Sequence, residues 1–203
     1  CSGTAVNLTS SASGPPVPYS FIEGFEGAAL PSGWSEEYVS GTTSWTYQTG
    51  GHNSQPASAH SGTYNAHLYI GSTTGITTRL VTPSLNLSSV SSPTLTFWHT
   101  QPIWSSDQDV LYVYYKTSAG GSWTSLASYT GSITSWTQET MSLPGASSTY
   151  YIAFQGNAKY GYGICLDDVS VAGTMSSSIS SYEWASSPTG FTSLSQNTSA
   201  TPT

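Results

Sequence analysis

Apolar and polar residues alternate with a period of two along much of the chain, the spacing that puts every second side chain on one face of a β-strand. TLTFWHT (94–100) sets Leu95 and Phe97 against Thr94, Thr96 and Trp98. VLYVYYKT (110–117) sets Leu111, Val113 and Tyr115 against Val110, Tyr112 and Tyr114. YNAHLYIG (64–71), TYYIAFQG (149–156) and GICLDDVSV (163–171) also read as strands. No window keeps apolar residues at i, i+3, i+4 and i+7, and good helix formers are scarce, so helices are not expected. PSG at 31–33, AGG at 119–121, LPGAS at 143–147 and YGYG at 160–163 separate the strands with Gly and Pro turn chemistry. Regularly spaced strands with long loops predict an all-β fold, an antiparallel sandwich of the jelly-roll kind.

The ends differ from the middle. Residues 1–18 are rich in Ser and Thr and close on a proline cluster; residues 174–203 are again Ser/Thr-rich, with isolated aromatics. One central domain over 19–173 is therefore expected between two flanking segments. The flanks read as linkers, or as short strands, since Val6 and Leu8 alternate.

Composition narrows the function. Three Lys and Arg stand against ten Asp and Glu, a net charge of −7, which argues against nucleic acid or an anionic membrane surface as the main partner. No run of about eighteen apolar residues is present to span a membrane. Ser, Thr, Gly, Asn and Gln replace charge, and aromatics reach 13%, as in secreted or cell-surface β proteins. The chain begins without Met or a leader, so a processed chain or a piece of a longer protein is expected. Cys165 reads as an isolated buried thiol. Cys1 could pair with it, carry lipid, or merely stand where a fragment starts.

Five motifs in order carry a family resemblance: FIEGFEG with LPSGW (21–34), AHSGTYNAHL (59–68), LVTPSLNLSSVSSPTLTFWH (80–99), DQDVLYVYYKTSAGGSWTSL (107–126) and ICLDDVSV (164–171). Residues 19–173 resemble a MAM-type jelly roll of the cleaved-adhesin kind, found in gingipain-associated adhesin domains and in choice-of-anchor domains of secreted bacterial proteins. The resemblance implies an extracellular or cell-surface adhesion module, with host or matrix proteins or glycans as partners and often type IX export. CSGTAVNLTSS and SSYEWASSPTGFTSLSQNTSATPT resemble strands of bacterial Ig-like repeats, which would make the flanks two parts of one partial Ig-like module. Such a module would leave an open edge for neighbouring copies of the chain.

Asp167 and Asp168 stand side by side in a strand, so only one can look inward. Burying an ionised carboxylate without a partner is costly, and the basic residues are too few to serve every acid. A hard divalent cation bound by carboxylates and carbonyls would resolve this, as would hydrogen bonds from backbone N–H groups or Tyr hydroxyls. The resemblance implies a structural Ca2+ held by Glu26 and Asp168, completed by the loop at His60 and Ser61. Asp109 and Asp107 are weaker candidates, and Glu23 and Asp167 would be solvent-facing neighbours.

No Gly-x-Ser-x-Gly or His-Glu-x-x-His motif occurs, His99 reads as a strand residue, and Glu36–Glu37 as a solvated turn. A non-enzymatic chain is expected. Trp45, Tyr47, Trp104, Tyr160 and Tyr162 fall in expected loops and, with Asn53 and Gln55 nearby, make a candidate ligand-binding surface; Trp34, Trp98 and Trp123 read as core or turn anchors. Three functions compete: an adhesion module, a carbohydrate-binding module of a secreted enzyme, and a subunit of a surface filament joined through open strand edges.

Overall fold

The computed structural model describes residues 4–10, 14–175, 177, 179, 181–186 and 191–200. Their strands are β1 (Val6–Leu8), β2 (Val17–Glu23), β3 (Ser35–Ser40), β4 (Thr46–Gln48), β5 (Asn65–Leu68), β6 (Ile76–Val81), β7 (Val90–Gln101) and β8 (Val110–Lys116). Then follow β9 (Thr124–Tyr129), β10 (Ile133–Ser142), β11 (Tyr151–Ala158), β12 (Ile164–Met175), β13 (Trp184–Ala185), β14 (Thr192–Ser193) and β15 (Thr198–Ala200). A single 3-10 turn, His52–Ser54, is the only helical element among the described residues. The expected all-β class is found.

Two compact units result, Pro18–Thr174 and the flanks. In the first, one sheet runs β10-β7-β12-β5-β4, with β2 also pairing β12, and the other runs β3-β6-β11-β8-β9. Alternation decides which face is core. Leu95 and Phe97 of β7, Leu111 and Val113 of β8, Ile152 and Phe154 of β11, and Ile164 and Leu166 of β12 are all fully buried. Phe97 and Phe154 meet edge to face, centroids 5.1 Å apart. Each such side chain contributes about 1.5–3 kcal/mol by leaving water. Cys165 is a free, buried thiol that burial pushes up to about 12, so it stays protonated and inert.

In the flanks, β1 pairs antiparallel with β15, Asn7 opposite Ser199, and β13 pairs with β14. The alternation at Val6 and Leu8 is thus a short strand. Cys1, and with it every reading of its chemistry, lies outside the described residues.

Two expectations about aromatic placement are corrected. Trp45 is not a loop platform: it is 3% exposed, and its indole N–H donates to the Thr78 carbonyl (3.3 Å). Tyr47 belongs to β4, its ring 5.9 Å from that of Phe25 and its hydroxyl buried. SWTYQ is polar enough to read as a loop, yet Trp45 fills the interior and half-buried Tyr47 packs toward Phe25 with its hydroxyl turned inward, so neither stands out from a loop as a platform.

Candidate functional site

Two loops carry the unusual chemistry, and each is held by carboxylates. The first spans residues 58–64. Pairing of β12 with β5 runs through Ile164, Cys165 and Leu166 and stops there. Asp167 follows, and its placement corrects the expectation of a solvent-facing neighbour, since it is fully buried. Its Oδ2 accepts the N–H groups of His60 (2.9 Å) and Ser61 (3.2 Å), and its Oδ1 that of Asp168 (2.8 Å). Burial pushes this carboxyl up to about 6 against the pull of those donors. Asp168 takes a left-handed backbone, φ 46°, which breaks the strand's alternation. Its carboxylate therefore faces the same loop, accepting from His60 Nδ1 (2.5 Å) and from the Ser61 hydroxyl (2.7 Å).

Glu26 closes the loop from the other side, with Thr63 N–H 3.0 Å from each carboxylate oxygen and Tyr64 N–H 3.2 Å from Oε1. Gly62 between them has φ +59°, and a Cβ there would run into the Glu26 carboxylate. The His60 ring stacks on Trp98 at 3.7 Å and meets Trp136 edge-on at 5.9 Å. Glu26, Asp168, His60 and Ser61 are thus brought together on one loop. The loop offers N–H groups and side chains to the acids, where carbonyls had been expected. In kind the donors suit a hard cation, being three carboxylates and a hydroxyl with no Lys or Arg among their partners. Among the described residues, however, no three His, Cys, Asp or Glu side chains gather as a metal cage. An ion here would need loop oxygens as well. Asp168 accepts both the serine and the histidine hydrogen, so the His60 ring is directed at the carboxylate and not at the Ser61 hydroxyl, unlike a serine–histidine pair.

The second loop spans residues 159–163; Asp109 is the acid that holds it, and Tyr162 N–H also donates to the Pro102 carbonyl (3.3 Å). The buried Asp109 carboxylate accepts the N–H groups of Lys159 (2.5 Å), Gly161 (3.3 Å) and Gly163 (2.7 Å). Burial raises its pKa, and the three donors pull it back. A Cβ on Gly161 would strike that carboxylate, so the turn requires glycine. Asp109, expected as a metal ligand, is committed to a different loop from Asp168. Asp107 sits in a tight backbone bridge with Trp104, N–O distances 3.0 and 2.8 Å.

The loop held by Asp109 presents Tyr160 and Tyr162 to a cleft of about 120 Å³, lined also by Trp104, Tyr69, His52 and Asn53. Trp104 and Tyr162 meet at right angles, centroids 5.2 Å apart, and Trp104 is 45% exposed. His52 stacks on Tyr69 at 3.9 Å. Below, His67 is buried, and its Nε2 has no well-formed hydrogen bond among the described residues; burial lowers its pKa to about 4 against a weaker pull from the Tyr162 backbone, so its ring is neutral. Asn53, Ser54, Ser105 and Tyr160 all have left-handed backbones, half of the eight non-glycine residues described with positive φ, and all four lie on loops that form the cleft. Strain of this kind persists only where surrounding structure enforces it, and it concentrates at functional sites. No Asp, Glu, Lys or Arg lines the cleft.

Of the expected ligand-binding residues, Trp104, Tyr160 and Tyr162 come together, and Asn53 joins them. Gln55 is not in the lining. His52 and Tyr69 were not anticipated. Tyr69 reads as part of a strand, but β5 ends at Leu68, which frees it to turn toward the cleft. The Gly50-Gly51 pair ahead of His52 was the available signal for an exposed turn there.

A family model described as MAM domain, meprin/A5/mu, matches residues 24–176. The chain is similar to the K1 cleaved adhesin domain of Lys-gingipain from Porphyromonas gingivalis W83, at 22% identity over 75% of this chain and 97% of that one, with a TM-score of 0.60. It is similar to the K3 cleaved adhesin domain of the same protein, at 22% identity over 78% and 99%, TM-score 0.59. It is also similar to TmCBM61, solved with β-1,4-galactotriose, at 15% identity over 73% and 92%, TM-score 0.53. No curated protein matches. The jelly roll read from the ordered motifs is thereby found, and these likenesses speak for the fold.

Proposed function

The chain belongs to the MAM domain family, and from that premise we propose that it is an adhesion or binding module of a secreted or surface-attached bacterial protein, acting by holding a ligand and not by catalysis. Its partner in this reading is a host or matrix glycan, seated in the cleft of Trp104, Tyr160 and Tyr162. The observation that carries the reading is the delivery of aromatic rings by separate, backbone-strained loops to one uncharged concavity. A neutral sugar ring has an apolar face to lie on an indole or phenol and hydroxyls to meet Asn53 and the tyrosines. Titration calorimetry with galactotriose as first probe, followed by a glycan array, tests it. Binding that disappears in Trp104→Ala and in Tyr162→Ala, with unchanged thermal midpoints, is expected. Absence of any glycan ligand, or binding indifferent to both changes, would sink it.

The acid-clasped loop supports a second part of the reading, a structural Ca2+. Glu26 and Asp168 would hold the ion with oxygens of the 60–64 stretch, and its charge would offset three like-charged carboxylates on one short segment. A metal that binds only the native chain raises the unfolding midpoint. Scanning calorimetry with Ca2+ and then with a chelator should give a higher midpoint for the first; equal midpoints would remove the ion. The flanks, read as strands of a partial Ig-like module, favour a further role in joining copies edge to edge, because β1 and β13 are each paired on one side only among the described residues. A strictly monomeric chain in concentrated solution by sedimentation would end that reading.

A further inference from the structure

The outward face of the β3-β6-β11-β8-β9 sheet carries a second constellation. Residues that alternate with the buried Leu80, Phe154 and Val113 point outward from it. Across the strands Glu37 lies opposite Arg79, Arg79 opposite Gln155, and Gln155 opposite Tyr112. Of the three basic residues in the chain, two stand here, Arg79 and Lys116. One carboxylate meets both: Glu37 lies 3.2 Å from Arg79 Nη1 and 3.8 Å from Lys116 Nζ. Neighbouring Glu36 is turned away, to the Trp45 N–H and the Tyr38 hydroxyl. A chain of net charge −7 therefore holds a local surplus of positive charge on this sheet face.

Aromatic rings fix these cations in place. The Arg79 guanidinium carbon lies 5.5 Å from the Tyr114 centroid and 5.7 Å from that of Trp123. Lys116 Nζ lies 4.4 Å from Trp123 and 5.1 Å from Tyr151. Trp123 donates its indole N–H to Glu37 (2.9 Å), and Arg79 Nε donates to Gln155 (2.9 Å). Hydrogen-bond capacity is left over. Among the described residues Arg79 Nη2 has no acceptor, and the three N–H groups of Lys116 have none nearer than Glu37 at 3.8 Å. Beside them Tyr112 and Tyr114, half-buried and 6.2 Å apart, leave ring surface on the solvent side. Preorganised cations with spare donors next to ring faces match a ligand that combines an anionic group with a flat apolar face.

We propose that this face is a binding site for acidic saccharides, distinct from the neutral cleft, with the carboxylate or sulfate at Arg79 and Lys116 and a sugar ring against Tyr112 and Tyr114. The test follows the indole N–H signals of Trp123 and Trp104 in the 15N-labelled full chain. A galacturonic acid hexamer should move Trp123 and leave Trp104 still, and raising salt from about 50 to about 500 mM should weaken its binding several-fold. Its methyl-esterified, neutral form should leave Trp123 still. A heparin-derived hexasaccharide distinguishes the sources: movement with it alone assigns the site to sulfate, movement with the uronate alone to carboxylate. Arg79→Gln and Lys116→Gln should each cost about tenfold in affinity. If either variant fails to fold, the signals of the natural chain decide. A motionless Trp123 with both anionic probes, or equal movement with the neutral hexamer, overturns the proposal. Galactotriose acting at Trp104 reports on the cleft alone, so the two readings fail independently.

Discussion

The two carboxylate-held loops solve one problem in different ways. Residues 159–163 are anchored by one acid, Asp109, which spends its oxygens on three N–H groups and leaves no surplus of negative charge on the loop, whose own exposed charge is Lys159. Residues 58–64 are anchored by three acids, Glu26, Asp167 and Asp168, which leave a surplus of negative charge. Both arrangements satisfy backbone donors that a loop would otherwise strand. A single buried acceptor leaves its loop's rings turned to the cleft, while a triple one ties strand ends together. Removing the anchors is the most direct way to break this comparison. Asp109→Ala should be the costlier change, about 3–5 kcal/mol by urea unfolding, because the N–H bonds from Gly161 and Gly163 are buried beyond reach of water. It should also abolish ligand binding in the cleft. Asp167→Ala should cost about 2–3 kcal/mol, since the His60 and Ser61 donors it strands are only partly buried and water can replace the acid. A larger loss for Asp167→Ala would mean the triple clasp is the true keystone.

Acid acts on His67 with one sign and on the buried carboxylates Asp109 and Asp167 with the other. His67, under the cleft, is held neutral, its pKa lowered to about 4 by burial. A depressed histidine contributes stability above its unfolded pKa of about 6.5 and loses it as pH falls toward the folded value. Between pH 7 and pH 5 that loss is about 2 kcal/mol. Asp167, in the clasp, is raised to about 6 from the ordinary 3.8, so its ionised form burdens the native state at neutral pH and acid relieves that burden. Thermal unfolding of the natural chain therefore reports a partial cancellation. The informative quantity is the difference from His67→Gln, whose midpoint should fall less between pH 7 and pH 5. Parallel pH profiles for the two proteins would mean that His67 charges without cost.

Legibility in the sequence followed polarity. β7, β8, β11 and β12 were readable because their inward positions are large and apolar, although β7 and β12 extend beyond the expected bounds, to Val90–Gln101 and Ile164–Met175. SEEYVS, TSLASY and ITSWTQETMS gave no such signal, because β3, β9 and β10 bury little and are built largely of polar or small residues. At the cleft, Trp104, Tyr160 and Tyr162 stood out as aromatics among Gly and Ser. Trp45 misled because its partner, the Thr78 carbonyl, is 33 residues away, a pairing that local pattern does not encode. Asp109 was legible from the sequence only as a weaker metal-ligand candidate, and its role as the buried anchor of a loop was not. That its partners are N–H groups of a loop 50 residues on depends on the turn geometry that Gly161 permits.

The smallest expected effect on stability is the one that most separates the two regions. Trp104 is 45% exposed and touches Tyr162 by its edge, so Trp104→Ala should change unfolding free energy by at most about 1 kcal/mol. Trp98, also on the surface, carries the stacked ring of His60 and thereby holds the clasped loop against the sheet. Trp98→Ala should cost more, about 1–3 kcal/mol, and leave cleft binding intact. A ring kept for a ligand contributes little to the fold that presents it, whereas a ring kept for the fold contributes nothing to the ligand. Urea unfolding and calorimetric titration on the same two variants check both halves. If Trp104→Ala proved the more destabilising, the cleft would be a packed corner of the sandwich and not a place prepared for something else.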